Sequence, residues 1–186
     1  MRTKDFSKQQ RIKDAMISLI LKEGINGASV AKIARKARVS PATIYVYYAN
    51  KEDMLSEVFN EYAQKCYFYL NTRLSEKMSG KDLIETLVRG TYVFALENEE
   101  VFSFVEQCYS CPTLQETISQ RDCRNNVFKL IHDFQNKGII RNCSDPNLSA
   151  VLFAPVKFMA MNRQIYPDPD RGLEELIGML QDLLLY

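Results

Sequence analysis

Apolar positions recur with a helical period along almost the whole chain. Ile12, Ala15, Met16, Leu19 and Ile20 follow the i, i+3, i+4, i+7, i+8 spacing of a single buried stripe, and Gly24 is placed to end that helix. Ser29 is a good N-cap for a second, short helix that sets Val30, Ile33, Ala34 and Ala37 on one face. A third helix is predicted from Ser40, as cap, with Pro41 at the first helical position, where a missing N–H costs nothing. It must stop near Ala49, because Asn50 followed by Asp53 resembles the start of a fourth helix, running through Met54, Val58, Tyr62 and Leu70.

Beyond Leu70 the period stays helical, and segments are predicted near residues 81–97, 99–110, 113–137, 146–165 and 171–185. Ser79-Gly80, Cys111-Pro112, Lys137-Gly138 and Tyr166-Pro167-Asp168-Pro169 separate them. Pro155 inside the 146–165 segment implies a kink or a break. No useful strand-like alternation and no internal repeat interrupts the pattern, so the expected class is all-α.

Composition adds little until charge is divided along the chain. The overall net charge is +1, yet residues 1–51 hold eleven Lys or Arg against three acids, a net +8, and residues 52–186 carry a net −7. Such a split favours a nucleic-acid-binding end joined to a different kind of domain. No apolar run reaches the roughly 18 residues of a membrane span, and the basic N-terminus lacks a signal-peptide core. A cytoplasmic protein with no membrane partner is expected. Five irregularly spaced cysteines point to thiols rather than a disulfide framework.

Two short helices joined by a tight turn, preceded by a longer one, have the layout of a DNA-binding helix-turn-helix, whose second helix enters the major groove. The stretch GINGASVAKIARKARVSPATIYVYYANKEDML resembles the N-terminal signature of TetR/AcrR-type transcriptional regulators. Agreement runs in register through Gly24, Val30, Ile33, Ala34, Ala37, Val39, Ser40, Thr43, Ile44, Tyr45, Tyr47, Lys51, Glu52 and Leu55. The resemblance implies an N-terminal three-helix DNA-binding module, residues 1–50, and a C-terminal helical effector-binding and dimerisation domain, residues 51–186. It further implies a dimeric regulator, a repressor of a palindromic double-stranded operator, that responds to a small-molecule effector. The sequence departs from the signature at Arg38, which stands where a turn glycine is usual, and at Ala28, which replaces a frequent threonine.

Three tyrosines crowd the third helix, and a helix buries only one stripe. With Ile44 inward, Tyr48 and Pro41 lie within about 60° of it at about 100° per residue, Tyr47 flanks, and Ala42, Thr43, Tyr45 and Val46 face out. Ala42, Val46 and the Thr43 methyl suit thymine methyl groups, whereas the Arg, Asn and Gln that pair with guanine and adenine edges are missing there. Sparse hydrogen-bonded base readout is therefore expected, with Lys32, Arg35 or Arg2 contributing from helix 2 or the N-terminal segment. For phosphates, the resemblance points to Thr43, Tyr45, Tyr47 and Lys51, and phenol, hydroxyl and ammonium groups all donate to phosphate oxygens.

The C-terminal stripes, Leu148, Val151, Leu152, Val156 and Met159 with Leu173, Leu176, Ile177, Leu180, Leu183 and Leu184, suit either an internal core or a four-helix interface. The resemblance favours a homodimer through the helices near 146–165 and 171–185. Tyr92, Phe102, Glu106, Tyr109, Asn125, Phe128 and His132 have the composition of an effector pocket, and equally of an ordinary core. Cys108-Tyr-Ser-Cys111, with Cys123 following, supplies too few ligands for a structural zinc; a redox- or metal-sensing regulator is the alternative it raises, and a helical protein-binding adaptor is another. With one histidine, no nucleophile–base signature and no glycine-rich phosphate loop, an enzyme is not expected, nor a cofactor.

Overall fold

The computed structural model describes residues 5–109, 111, 114 and 122–186. Its helices are α1 (Phe6–Gly27), α2 (Val30–Ala37), α3 (Pro41–Tyr47), α4 (Lys51–Asn71), α5 (Gly80–Glu97), α6 (Glu99–Tyr109), α7 (Asp122–Asn136), α8 (Asp145–Met161) and α9 (Pro169–Leu184), with a 3-10 turn at Arg163–Ile165. No strand occurs among the described residues beyond one isolated antiparallel bridge, Ile140 to Leu185. The all-α class holds. Arg2, Pro112, Cys123 and the early part of the helix expected at 113–137 are, as to their side chains or backbone, outside what is described.

The local signals act as expected. Ser29 Oγ accepts from the Lys32 N–H, Ser40 Oγ accepts from the Thr43 N–H, and Pro41 occupies the first turn of α3. Asn50 accepts from the Asp53 N–H at 2.7 Å while Asp53 accepts from the Ala49 N–H at 2.9 Å, a reciprocal start for α4. Gly24 breaks the helical course of α1, with φ 76° and ψ 170°. α8 continues through Pro155 without a break.

Two compact units divide the chain, residues 1–63 with 100–118 and residues 64–99 with 119–186, the first division falling within α4. In the first, α1 packs on α2 and α2 on α3 around Ile12, Met16, Ile20, Ile33, Ile44 and Tyr48. Met54, Val58 and Phe59 of α4 complete this core, and the Lys13–Glu61 ion pair and a Gln10 to Tyr62 hydrogen bond of 3.0 Å hold α1 to α4.

The second unit packs α5 against α8 and α9. Leu83, Leu87, Val127, Ile131, Leu148, Leu152, Val156, Leu173, Ile177 and Leu180 share one buried cluster. Gly80 begins α5 where a Cβ would come within 2.8 Å of both Ile139 and Leu185, so a larger residue would force those side chains to shift.

The C-terminal stripes need a correction. Leu148, Leu152, Val156, Met159, Leu173, Ile177, Leu180 and Leu184 are buried in the chain's own core, so they offer nothing to a second chain. Exposed instead are Ala154, Phe158, Met161 and Ile165 along α8 and its 3-10 extension, and on α9 Met179 together with two members of the expected stripe, the exposed Leu183 and the half-buried Leu176. Spacings of three and four place each set on one side.

Candidate nucleic-acid interface

The reading face is built from the turn between α2 and α3. Arg38 stands in the left-handed region, φ 56° and ψ 48°, and its N–H reaches back to the carbonyls of Ala34 and Arg35. The Val39 N–H bonds the Ala34 carbonyl at 3.0 Å, which completes a Schellman closure of α2. Arg11 of α1 donates to the Ala37 carbonyl at 3.2 Å, so a buried end of α2 is satisfied from a neighbouring helix.

From that turn α3 emerges with Ile44 and Tyr48 turned inward, each 1% exposed. Ala42, Tyr45 and Val46 are exposed, and Thr43 and Tyr47 half-buried, which is the orientation the helical wheel requires; Pro41, expected nearer the core, is exposed at the helix start. Thr43 Oγ1 lies 2.9 Å from Ser40 Oγ. Burial pushes the Tyr48 phenol up to about 12, an effect the neighbouring Gln9 amide offsets only in part. The Tyr48 hydroxyl has no partner in hydrogen-bonding geometry among the described residues.

Charged candidates are less available than composition suggests. The Lys32 ammonium donates to the Glu23 carboxylate at 2.6 Å and to the Gly27 carbonyl at 3.0 Å, and that hydrogen bond from Lys32 holds the Glu23 carboxyl below its ordinary range. Lys51 donates to the Ile25 carbonyl at 2.8 Å and braces the end of α1 against the start of α4. Arg35, in contrast, is exposed on α2, as are Lys36 and Arg38.

Sequence reasoning missed one connection. The Tyr47 hydroxyl donates to the Asp5 carbonyl and accepts from the Asp5 N–H, both at 3.1 Å, and so clasps the beginning of α1 to the end of α3. Asp5 also caps α1 by accepting from the N–H groups of Ser7 and Lys8. The partners lie 42 residues apart, and no local pattern announces their pairing.

The residues proposed for an effector pocket divide between the two units. Phe102, Glu106 and Tyr109 belong to the first, where Phe102 is buried and Tyr109 meets Phe59 edge-on with ring centroids 5.6 Å apart. Tyr92, Asn125, Phe128 and His132 belong to the second. Tyr92 and Phe128 are buried there, and the Tyr92 hydroxyl has no hydrogen-bond partner among the described residues. Asn125 and His132 are exposed, and His132 Nε2 lies 2.6 Å from Asp145 Oδ1 at the surface. A cleft of about 590 Å³ in the second unit is lined by other residues, among them Tyr69, Arg73, Glu85, Arg89 and Val93. Arg73 stacks on the Tyr69 ring, and Arg89 pairs with Glu85 and Glu174.

Cys108 is fully buried, and burial pushes its thiol up to about 12, which keeps it protonated and unreactive near neutral pH. Cys111 lines a cleft of about 330 Å³ in the first unit with Ile25, Lys51, Glu52 and Leu55. Among the described residues no group of three or more His, Cys, Asp or Glu is placed to hold a metal ion, and no helix is long and apolar enough to cross a membrane.

Comparison with known proteins agrees with this geometry. Residues 12–58 match the family described as bacterial regulatory proteins, tetR family. The chain is 25% identical over 137 residues to an uncharacterized HTH-type transcriptional regulator of Haemophilus influenzae, covering 73% of this chain and 72% of that one. Its fold is similar to that of a TetR family transcription regulator from Marinobacter aquaeolei, with TM-score 0.84, 22% identity and coverage of 100% and 99% of the two chains. A transcriptional regulator FadR from Bacillus subtilis, solved in complex with stearoyl-CoA, is similar with TM-score 0.67 and 23% identity, over 92% of this chain and 96% of that one.

Proposed function

We infer, from the premise that this DNA-binding transcriptional regulator belongs to the tetR family of bacterial regulatory proteins, that it is a cytoplasmic, ligand-responsive repressor bound as a homodimer to a palindromic operator. The observation that carries the reading is α3: anchored by Ile44 and Tyr48, it turns Ala42, Tyr45 and Val46 outward from a segment of net charge +8. Thymine methyl groups are the base features such a face would recognise, and Thr43 and Tyr45 would offer hydroxyls to phosphates, whereas Tyr47 would do so only by releasing the Asp5 carbonyl. Arg35 supplies charge from α2. Lys32 and Lys51 reach phosphate only by sharing or leaving their present acceptors.

Residues 1–50 carry the DNA-binding role in this reading, and residues 51–186 carry effector binding and dimerisation. The exposed apolar stripes of α8 and α9 support the dimer, because Phe158, Met161, Met179 and Leu183 are costly to leave in water and two copies would cover them. The buried Tyr92 hydroxyl, without a hydrogen-bond partner among the described residues, is a place in the second unit where a ligand's polar group would be satisfied. Since one structural relative was solved with stearoyl-CoA, long-chain acyl thioesters lead the effector panel.

Selection of bound duplexes from random DNA tests the reading. It is expected to return a two-fold symmetric, A·T-containing site whose affinity falls steeply with salt. Absence of salt-sensitive duplex binding at low ionic strength would overturn it. Acyl-CoA is then added to the selected complex, and release of the duplex is measured.

A further inference from the structure

Three large apolar side chains of the first unit stand exposed among its described residues: Phe6, Tyr45 and Val46. Two of them lie on α3. The third, Phe6, is 82% exposed, the highest value of any large apolar side chain described. Its position has no capping duty, since Asp5 already caps α1. A phenyl ring left this far in water forgoes a favourable burial unless something covers it.

The backbone beside Phe6 is fixed to the reading helix. Both hydrogen-bonding groups of the Asp5 main chain are held by the Tyr47 hydroxyl, each at 3.1 Å. In a helix-turn-helix the early part of the second helix meets base edges, so its far end, where Tyr47 stands, lies toward the sugar–phosphate rim of the groove. The clasp thus seats the chain immediately before Phe6 beside that end of α3. A phenyl ring has no donor or acceptor with which to read a base, but its face suits the apolar surface of deoxyribose. Charge argues against a second copy of this segment as the occupant: residues 1–51 carry +8, which repels its like and complements DNA.

We propose that Phe6 is a DNA-contact residue whose ring packs on deoxyribose at the edge of each half-site, positioned there by the clasp between Tyr47 and Asp5. The proposal rests on the DNA-binding reading above. It adds a sequence-independent apolar contact to an interface otherwise built from hydroxyls, charge and the thymine-facing side chains of α3.

The chain contains no tryptophan, so Phe6→Trp installs a single indole emitter. Its emission is expected to change on titration with the selected operator and to saturate together with fluorescence anisotropy of a labelled duplex. Phe6→Ala is expected to keep its melting temperature, and to lose about fivefold in affinity from the partial burial of one ring. The loss should be equal on operator and scrambled duplex, with an unchanged salt slope, because no charge is removed. Unchanged Phe6→Ala affinity, an indole blind to DNA in a variant that binds, or emission that tracks protein concentration alone would each overturn the proposal. So would a loss confined to the operator, which would mean base readout. If the unsubstituted protein binds no duplex, the DNA-binding reading itself has failed; if it binds and Phe6 is silent, only this proposal has.

Discussion

Replacing Arg38 with glycine should stabilise the protein, and the expected size follows from the turn geometry. Arg38 is the only non-glycine residue with positive φ among those described, at φ 56° and ψ 48°. For an L-residue the left-handed conformation costs about 1 to 2 kcal/mol, because Cβ crowds the following carbonyl. Glycine removes that cost but adds freedom to the unfolded chain, an opposing effect of about 0.4 to 1 kcal/mol. The net gain is about 0.5 to 1 kcal/mol, which at about 2 to 4 °C per kcal/mol for a chain of this size raises the melting temperature by about 1 to 4 °C. Arg38→Ala is the control: it removes the same exposed guanidinium and keeps the crowded Cβ, so it should melt close to the parent. Thermal unfolding followed by far-UV circular dichroism, at one protein concentration and one salt, makes the comparison independent of self-association. If the glycine variant melts at or below the alanine variant, the strain argument is wrong.

Tyr47→Phe removes both bonds of the clasp, and with them the seating of the start of α1 beside the end of α3. Affinity should fall about fivefold or more on every duplex with base preference unchanged, at roughly 1 kcal/mol per lost hydrogen bond, whereas substitutions of Val46 should alter preference; a preference change in Tyr47→Phe would refute the division of roles. Arg35→Ala should weaken DNA binding more than Lys32→Ala, since the Lys32 ammonium is already engaged by Glu23 and Gly27; salt titrations of both variants test this, and an equal or reversed order counts against it. Tyr48→Phe should fold normally and lose a specific alkaline sensitivity. The folded phenol titrates at about 12 against an ordinary value of 10.0, so its contribution is complete below pH 10 and is lost as pH rises through 12. Denaturant midpoints of the two proteins should therefore keep a constant offset up to pH 10 and move in favour of Tyr48→Phe above it. A constant offset throughout would show that the phenol is solvated.

The openings of α2, α3 and α4 were legible in the sequence because each depends on atoms only a few residues apart. Ser29, Ser40, Pro41 and the Asn50–Asp53 pair act within their own turns, where covalent geometry already brings cap and N–H together. The inward direction of Ile44 and Tyr48 follows in the same way from the helical repeat, and so does the outward direction of Tyr45 and Val46. The left-handed residue at Arg38 was legible only by resemblance, since arginine itself does not mark such a position.

Tertiary structure decided everything that joins distant residues. Lys32, Lys51 and Tyr47 look alike in sequence as donors for phosphate, but folding places Glu23 and Gly27, Ile25, and the Asp5 backbone beside them. A donor near an acceptor in a partly dry site pairs with it, whatever its local pattern suggests. Apolar periodicity in α8 and α9 was likewise undecided, because both helices are apolar on more than one side. Packing against α5 chose Leu152, Val156 and Leu180 for the core and left Phe158, Met161, Met179 and Leu183 outside. A period tells how residues share a helix face; which face is buried depends on where the neighbouring helix lies, and that is a property of the folded chain.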